Sequence, residues 1–240
     1  MVKYLNKKIK RLLVSKNVMK IIYFFHYITG GINSKKIDID FEGKESRIKI
    51  VQEIINLKNY RSYLEIGTFE DELFSKINCQ KKIGVDPHSG GNMRMTSDDF
   101  FTKNEGKFDF IFIDGLHHYS QVKRDINNSL KILNEGGAIL IHDCLPRNYY
   151  YQAVPRSQLN WNGDTWKAFL ETRSDEKFDT YCINADEGLG VILKRKNRNL
   201  IKFNIKDFKK FKFNDYVENY KNYLNLIEYR QFIGILKEYE

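Results

Sequence analysis

The residues 108–125, FDFIFIDGLHHYSQVKRD, run apolar for six positions and then deliver Asp114, His117, His118 and Tyr119 together. An aspartate beside an imidazole is proton-handling chemistry, because histidine titrates at about 6.5 when unperturbed and can take a hydroxyl proton at neutral pH. Thirty residues on, a second apolar run, AILIHD, ends in His142 and Asp143. His118 adds no separate signal. His142, just ahead of Asp143, is expected to support the site from behind rather than to meet a ligand. A third group lies at 148–169, NYYYQAVPRSQLNWNGDTWKAF. Its rings, Tyr149, Tyr150, Tyr151, Trp161 and Trp166, alternate with polar groups including Arg147, Arg156, Asn162 and Asp164. Such a surface suits a sugar or other polyol, whose C–H faces stack on rings while its hydroxyls bond. Arg147 and Arg156 would grip a phosphate if the sugar is nucleotide-activated.

The elements that must position these groups follow from periodicity. From Arg47 the chain alternates helix and strand: RIKIVQEIINL has a helical face at Ile48, Val51, Ile54 and Ile55, and SYLEIG is a short apolar strand. EDELFSKI resumes helical spacing, KKIGVD is a strand ended by Asp86-Pro87, and TSDDFFTKN is a helix capped by Thr96 or Ser97. FDFIFID and AILIHD read as strands buried on both faces, separated by a helix over SQVKRDINNSLKIL. TWKAFLETR, DTYCIN and GLGVILKR add a helix and a closing antiparallel pair, and one helix is expected from about Asp215 to Tyr239. This alternation predicts an α/β fold: a Rossmann-like, doubly wound, mostly parallel sheet with helices on both faces. Residues 1–46 form a basic helical extension and connector, 47–195 the main domain, and 196–240 a basic, aromatic extension.

The net charge of +9 is not spread evenly. Residues 1–20 carry +7 with no acid, residues 194–212 carry +8, and the rest of the chain is therefore −6. A basic groove for nucleic acid inside the main domain is excluded by that distribution. The N-terminal segment 1–28 is basic and partly aromatic, so it predicts either packing on the protein itself or peripheral contact with a membrane surface. Three widely spaced cysteines and no CxxC fit a reducing compartment. No run reaches the length of a spanning helix, and no convincing cleavage site follows the N-terminal segment. The expected location is cytoplasmic, at the inner face of the membrane if the N-terminal contact is made.

In an open parallel sheet, ligands sit beyond the carboxyl ends of the strands. Here four strands end in Glu65-Ile66-Gly67-Thr68, Asp86, Asp114 and His142-Asp143, which predicts one shared, acid-lined cleft. Gly67 stands where the chain turns sharply and approaches a ligand. Asp86 follows Glu65 by the spacing at which an acid accepts bonds from a ribose diol. A dinucleotide fingerprint would need further glycines in the first turn, whereas this turn carries Glu70 and Asp71. Negative charge there repels a pyrophosphate but tolerates a cationic sulfur and an amino group, favouring S-adenosylmethionine over NAD.

Taken in order, YLEIGTFED, IGVDPH, TSDDFF, FDFIFIDGLHHY and GGAILIHDC resemble the class I S-adenosylmethionine-dependent methyltransferases. The nearer likeness is to the branch with a D-G-x-H-x-Y element, which includes sugar and small-molecule O-methyltransferases. The resemblance covers about residues 47–195. It implies that Glu65 and Gly67 border the methionine part of the cofactor, Thr68 and Phe69 line the turn, Asp86 meets the ribose, and Ser97 and Asp98 meet the adenine. It implies His117 as general base, and Asp114 and Asp143 as carboxylates that hold Mg²⁺ in metal-dependent relatives. The chain departs from the pattern at Asp71, where many relatives have a second glycine, and at Cys144, an asparagine ligand in some of them.

The expected activity is O-methylation of a sugar or nucleotide-sugar hydroxyl in surface-glycan assembly, with Arg147, Tyr150, Trp161, Asp164 and Trp166 selecting the acceptor. Three readings compete: a methyltransferase acting on RNA or another macromolecule, a non-catalytic binding module that keeps the cofactor fold, and a nicotinamide oxidoreductase. The aromatic C-terminal segment is expected either to cover its own subunit or to form a homodimer.

Overall fold

The computed structural model describes residues 17–239, so the part of the expected N-terminal helix over 3–16 lies outside the described residues. A helix, α1, occupies 17–26 and passes into a π-helical turn over Tyr27–Gly31. Then follow α2 (Arg47–Leu57), β1 (Ser62–Ile66), β2 (Lys81–Val85), α3 (Ser97–Lys103), β3 (Phe108–Ile113), α4 (Tyr119–Ile132) and β4 (Leu133–Ile141). The chain continues with α5 (Tyr149–Gln152), α6 (Thr165–Arg173), β5 (Asp179–Ile183), β6 (Leu189–Leu193), α7 (Phe213–Leu224), β7 (Leu226–Ile227) and α8 (Tyr229–Lys237).

The strands form one sheet of order β2-β1-β3-β4-β6-β5-β7. β1 to β4 are mutually parallel, and β6 runs antiparallel between β4 and β5. The strand readings from sequence hold, including the closing antiparallel pair. Register decides where the strand ends meet. Ile66 pairs with both Val85 and Ile113, and Ile113 pairs with Ile141, so one row of the ladder ends four strands together. The next residues, Gly67, Asp86, Asp114 and His142, must therefore emerge side by side.

Helices cover both faces of the sheet. On one, α3, α4, α6 and α7 bury Phe100, Val122, Ile126, Trp166, Phe169 and Tyr216. On the other, α2 and α8 bury Ile50, Val51, Ile54, Ile55, Phe232 and Leu236. α2 starts at Ser46, whose hydroxyl accepts from the Lys49 N–H, and α3 starts at Thr96, which accepts from the Asp99 N–H at 3.1 Å. Buried Arg173 joins α6 to the carboxyl end of α7, donating to the carbonyls of Tyr223 (2.7 Å) and Asn222 (3.3 Å). A cation suits that end of a helix, where carbonyls are left unpaired.

Two sequence expectations fail locally. Residues 69–76 form turns rather than a helix, because Phe69 (φ 45°) and Asp71 (φ 62°) adopt left-handed backbone that no α-helix can contain. Asp71 thus takes up a glycine-like conformation at the very position where many relatives have glycine, and its carboxylate accepts from the Gly91 N–H at 2.6 Å. At the other end, the single helix expected from Asp215 to Tyr239 is two, divided at left-handed Asn225 (φ 49°) so that Leu226–Ile227 can pair with Cys182–Ile183.

Trp166 also departs from expectation. It is fully buried, in contact with Tyr216 at 4.4 Å between ring centroids and edge-on to Phe211 at 5.6 Å. It cannot meet a substrate. Trp166→Ala should cost about 3–5 kcal/mol of stability by leaving a cavity, measured by urea unfolding, while Trp161→Ala should cost far less.

Candidate active site

The strand ends open into one cleft of about 610 Å³, within the range of small-molecule sites. All eight residues assigned to cofactor binding line it: Glu65, Gly67, Thr68, Phe69, Asp86, Ser97, Asp98 and Asp114. So do His117 and Trp161. Gly67 sits at φ 88° with the Asp114 carbonyl 2.1 Å from where a β-carbon would stand, so no other residue fits this turn. The Asp86 carboxylate is held rigidly by three backbone N–H groups, those of Phe69 (3.0 Å), His88 (2.7 Å) and Ser89 (2.9 Å). At the far wall the Gln121 amide donates to both Ser97 Oγ and Asp98 Oδ1 at 3.2 Å.

Glu65 is buried, and its carboxyl accepts from the Tyr63 hydroxyl. Burial pushes its pKa up to about 8, with the nearby Asp114 charge acting in the same direction.

The floor of the cleft is a chain of charges. Asp114 Oδ1 lies 3.1 Å from His117 Nε2 and 3.1 Å from His142 Nδ1. His117 Nδ1 lies 3.1 Å from Asp143 Oδ2, and His142 Nε2 lies 3.0 Å from Asp186 Oδ1. Arg47 donates to Asp186 through its backbone N–H (2.6 Å) and guanidinium (3.1 Å). Burial alone would neutralise these groups. Instead it is overcome: the charge of His142 and bonds from both imidazoles hold Asp114 far below the usual carboxylate range. Burial likewise opposes the charge on both histidines. His117 is nevertheless raised by its bond to Asp114 and the charge of Asp143, and His142 is raised well above its ordinary value by Asp143 and Asp114. Asp186, despite burial, falls to about 2 through its bond with His142.

His117 therefore differs from the unperturbed base expected from sequence, since both its nitrogens face carboxylates and it holds its proton more tightly. It is fixed further by Trp161, whose ring stacks on it at 5.5 Å and 22°, and by Gly163, whose left-handed backbone (φ 62°) lies against the His117 carbonyl. Asp143 also has left-handed backbone (φ 63°), and Asn162 donates to its Oδ1 at 2.6 Å. His142 is buried behind Asp114, as anticipated.

Of the five residues expected to select a substrate, only Trp161 reaches the cleft. Arg147 is committed to Glu187 at 3.0 Å, Tyr150 stacks on Tyr23 at 4.2 Å, and buried Asp164 accepts from the Tyr119 N–H at the start of α4. Arg156, over the Trp161 ring at 5.8 Å, does line it. Sequence reasoning missed Arg47, Gln121, Leu116 and Asp186. Asp186 alone had a readable signal: it follows β5, a strand parallel to β4, and so belongs to the same edge as the other strand-end acids.

A divalent cation fits part of this set. Ligand atoms of Asp114, His117 and Asp143 all lie within 4.8 Å of one another. Two carboxylates and an imidazole suit manganese, iron or zinc better than Mg²⁺, which prefers oxygen ligands. Cys144 is fully buried beside its own strand and joins no such set.

Residues 64–144 match the family model described as a methyltransferase domain. An uncharacterized protein, R132, of Acanthamoeba polyphaga mimivirus is 29% identical over 128 residues, covering 41% of this chain and 58% of that protein. The chain thus spans little more than half the length of the curated relative it matches. Solved structures similar to it include the O-methyltransferase TomG from Streptomyces achromogenes, involved in tomaymycin synthesis, in complex with S-adenosylmethionine (12% identity, TM-score 0.48, 65% of this chain and 82% of that one). Another is an O-methyltransferase from Bacillus cereus (13% identity, TM-score 0.47, 80% and 97%).

Because Glu65 is neutral in the free protein near pH 7, a cationic ligand that needs it ionised should expel close to one proton on binding. Affinity for S-adenosylmethionine should then rise with pH up to about 8, by at most about tenfold per unit. Calorimetry in buffers of different ionisation heat measures this, and Glu65→Gln should flatten the slope.

Proposed function

We propose, from the match of residues 64–144 to the methyltransferase-domain model, that the protein is an S-adenosylmethionine-dependent O-methyltransferase acting on a sugar or nucleotide-sugar hydroxyl in surface-glycan assembly. The observation that carries the reading is the convergence of every expected cofactor residue with Asp114 and His117 in one cleft, with buried Asp143 behind His117.

When bound, the cofactor supplies an electrophilic methyl group on a cationic sulfur. The chain contributes the surroundings. Asp114, and Glu65 once it has given up its proton, set negative charge where a sulfonium and an amino group would lie, and Asp86 presents a fixed carboxylate to a ribose diol. Ser97, Asp98 and Gln121 form a polar wall for the adenine. Methyl transfer asks little covalent chemistry of a protein beyond aligning the acceptor oxygen with the methyl and receiving its proton. His117, which lines the cleft, would receive that proton once it has lost its own, and the flanking carboxylates would stabilise the imidazolium that forms. If a divalent cation were bound instead of a proton, Asp114, Asp143 and neutral His117 would hold it, and its chemistry would be to lower the pKa of the acceptor hydroxyl. Trp161 offers a ring on which a sugar face stacks, and Arg156 beside it a cation for a phosphate.

Removing the base should cost about 10²–10⁴-fold in turnover. His117→Ala and Asp114→Asn should therefore fall sharply in methyl transfer from labelled cofactor, tested with a panel of nucleotide sugars in Mg²⁺, in Mn²⁺ and with chelator. Asp86→Ala should mainly weaken cofactor binding. Near-wild-type kinetics for all three would end the assignment.

The pH profile gives a sharper test. A base works unprotonated, and the pKa of His117 is raised, so kcat/KM should be lost below a pKa higher than 6.5 and recovered above it. Asp143→Asn removes one carboxylate that favours the imidazolium, so it should move this acid limb downward. A limb that stays in place would exclude His117 as the titrating group.

A further inference from the structure

α1 lies against the protein by one side only. Tyr23 stacks on Tyr150 with rings 10° from parallel, buried His26 bonds the Pro155 carbonyl at 2.8 Å, and Gly30 and Gly31 lie close against Tyr149 and Tyr150. The opposite side is apolar and open. Val18, Ile21, Phe25, Ile28 and Ile32, at helical spacing, are 48–70% exposed, and Phe24 beside them is 63% exposed. A soluble surface does not normally carry so continuous an apolar stripe.

We propose that this face docks on an anionic lipid bilayer. Charge selects that occupant over a second copy of the chain. In sequence, the seven Lys/Arg of residues 1–20, with no acid among them, run directly into the stripe, so a second copy would bring the same +7 rather than a complementary charge. An anionic surface gains from every one of those charges. Aromatic and aliphatic side chains on one side of a helix with lysines close by match the way interfacial helices lie in a membrane. No helix among the described residues is long and apolar enough to cross one.

The helix that carries the docking face is joined, by its packed side, to the loop at the rim of the cleft. Pro155, held by His26, is followed directly by Arg156, which lines the cleft, and Leu159 between Arg156 and Trp161 is 68% exposed. A bilayer reached by α1 would thus meet the loop that frames the acceptor side. Resting on the methyltransferase reading, the acceptor class becomes a hydroxyl on a lipid-anchored saccharide, carried at the membrane surface instead of free in solution.

Cosedimentation with vesicles tests the docking apart from any activity. The full chain should pellet with vesicles containing phosphatidylglycerol and not with pure phosphatidylcholine, and 0.5 M salt should release it. Phe24→Asp/Phe25→Asp should lower the bound fraction by roughly tenfold or more. S-adenosylmethionine affinity should stay unchanged in that variant, which shows that it is folded. Binding that is equal on neutral and anionic vesicles, or unaffected by the double substitution, would overturn the proposal. So would a dimer that the substitution splits without any vesicle binding by the parent. Loss of cofactor binding with vesicle binding intact would instead sink the enzyme reading and leave the docking standing.

Discussion

The structure of the site depends on a single buried carboxylate shared between two imidazoles. With His117 and His142 each 3.1 Å away, the ionised form of Asp114 is favoured despite burial, and its charge in turn raises the pKa of both rings. Asp143, Asp186 and Arg47 complete a set in which three acids face three bases. A buried charge left alone would cost several kcal/mol. The network is tolerable because each member has a partner, so it is stiff as well as charged. Removing one member leaves another uncompensated, and the geometry at His117 depends on residues as distant in sequence as Arg47 and Asp186.

That convergence follows from the ladder. Parallel strands in register bring equivalent residues to the same level, and the row through Val85, Ile66, Ile113 and Ile141 puts Asp86, Gly67, Asp114 and His142 one step beyond it. Backbone strain then finishes the job. Asp143, Asp186 and Glu187 all hold left-handed conformations that ordinary residues avoid, and they lie in the two turns that close around His142. The same device appears in the turn after β1 at Phe69 and Asp71, where the turn gives up a helix so that Asp86 and Gly91 can be tied to it.

Much of this was legible in the chain. Strand-end acids are a strong signal because a buried parallel strand has little reason to finish in one except at a ligand edge, and Glu65, Asp86 and Asp114 met that expectation together. The acceptor side was not legible. Trp166, Tyr150 and Asp164 share the aromatic-polar composition of a sugar platform, but composition does not say which side of a short helix faces the core. Trp166 went to the core with Tyr216, and Tyr150 went to α1. The protonation of His117 was likewise hidden, since it depends on Asp143 and Asp114 arriving from different strands. The helix break at Asn225 was masked by good helical spacing on both sides of it.

Charge is segregated rather than balanced locally, and the two signs have different fates. Within the C-terminal basic tract some of the positive charge is paired with acids of the fold: Arg195 pairs with buried Asp179 at 2.9 Å, Arg198 reaches Asp179 and Glu238, and Lys194 pairs with Glu135. These ions brace β5 and β6. The N-terminal tract has no acids of its own to be spent on, and it leads straight into an apolar stripe. A cleft rich in carboxylates favours a cationic ligand, while a basic, aromatic helix favours an anionic surface. Keeping those two preferences on separate elements, joined through the contact of His26 with Pro155, lets one small chain hold opposite electrostatic characters without either cancelling the other.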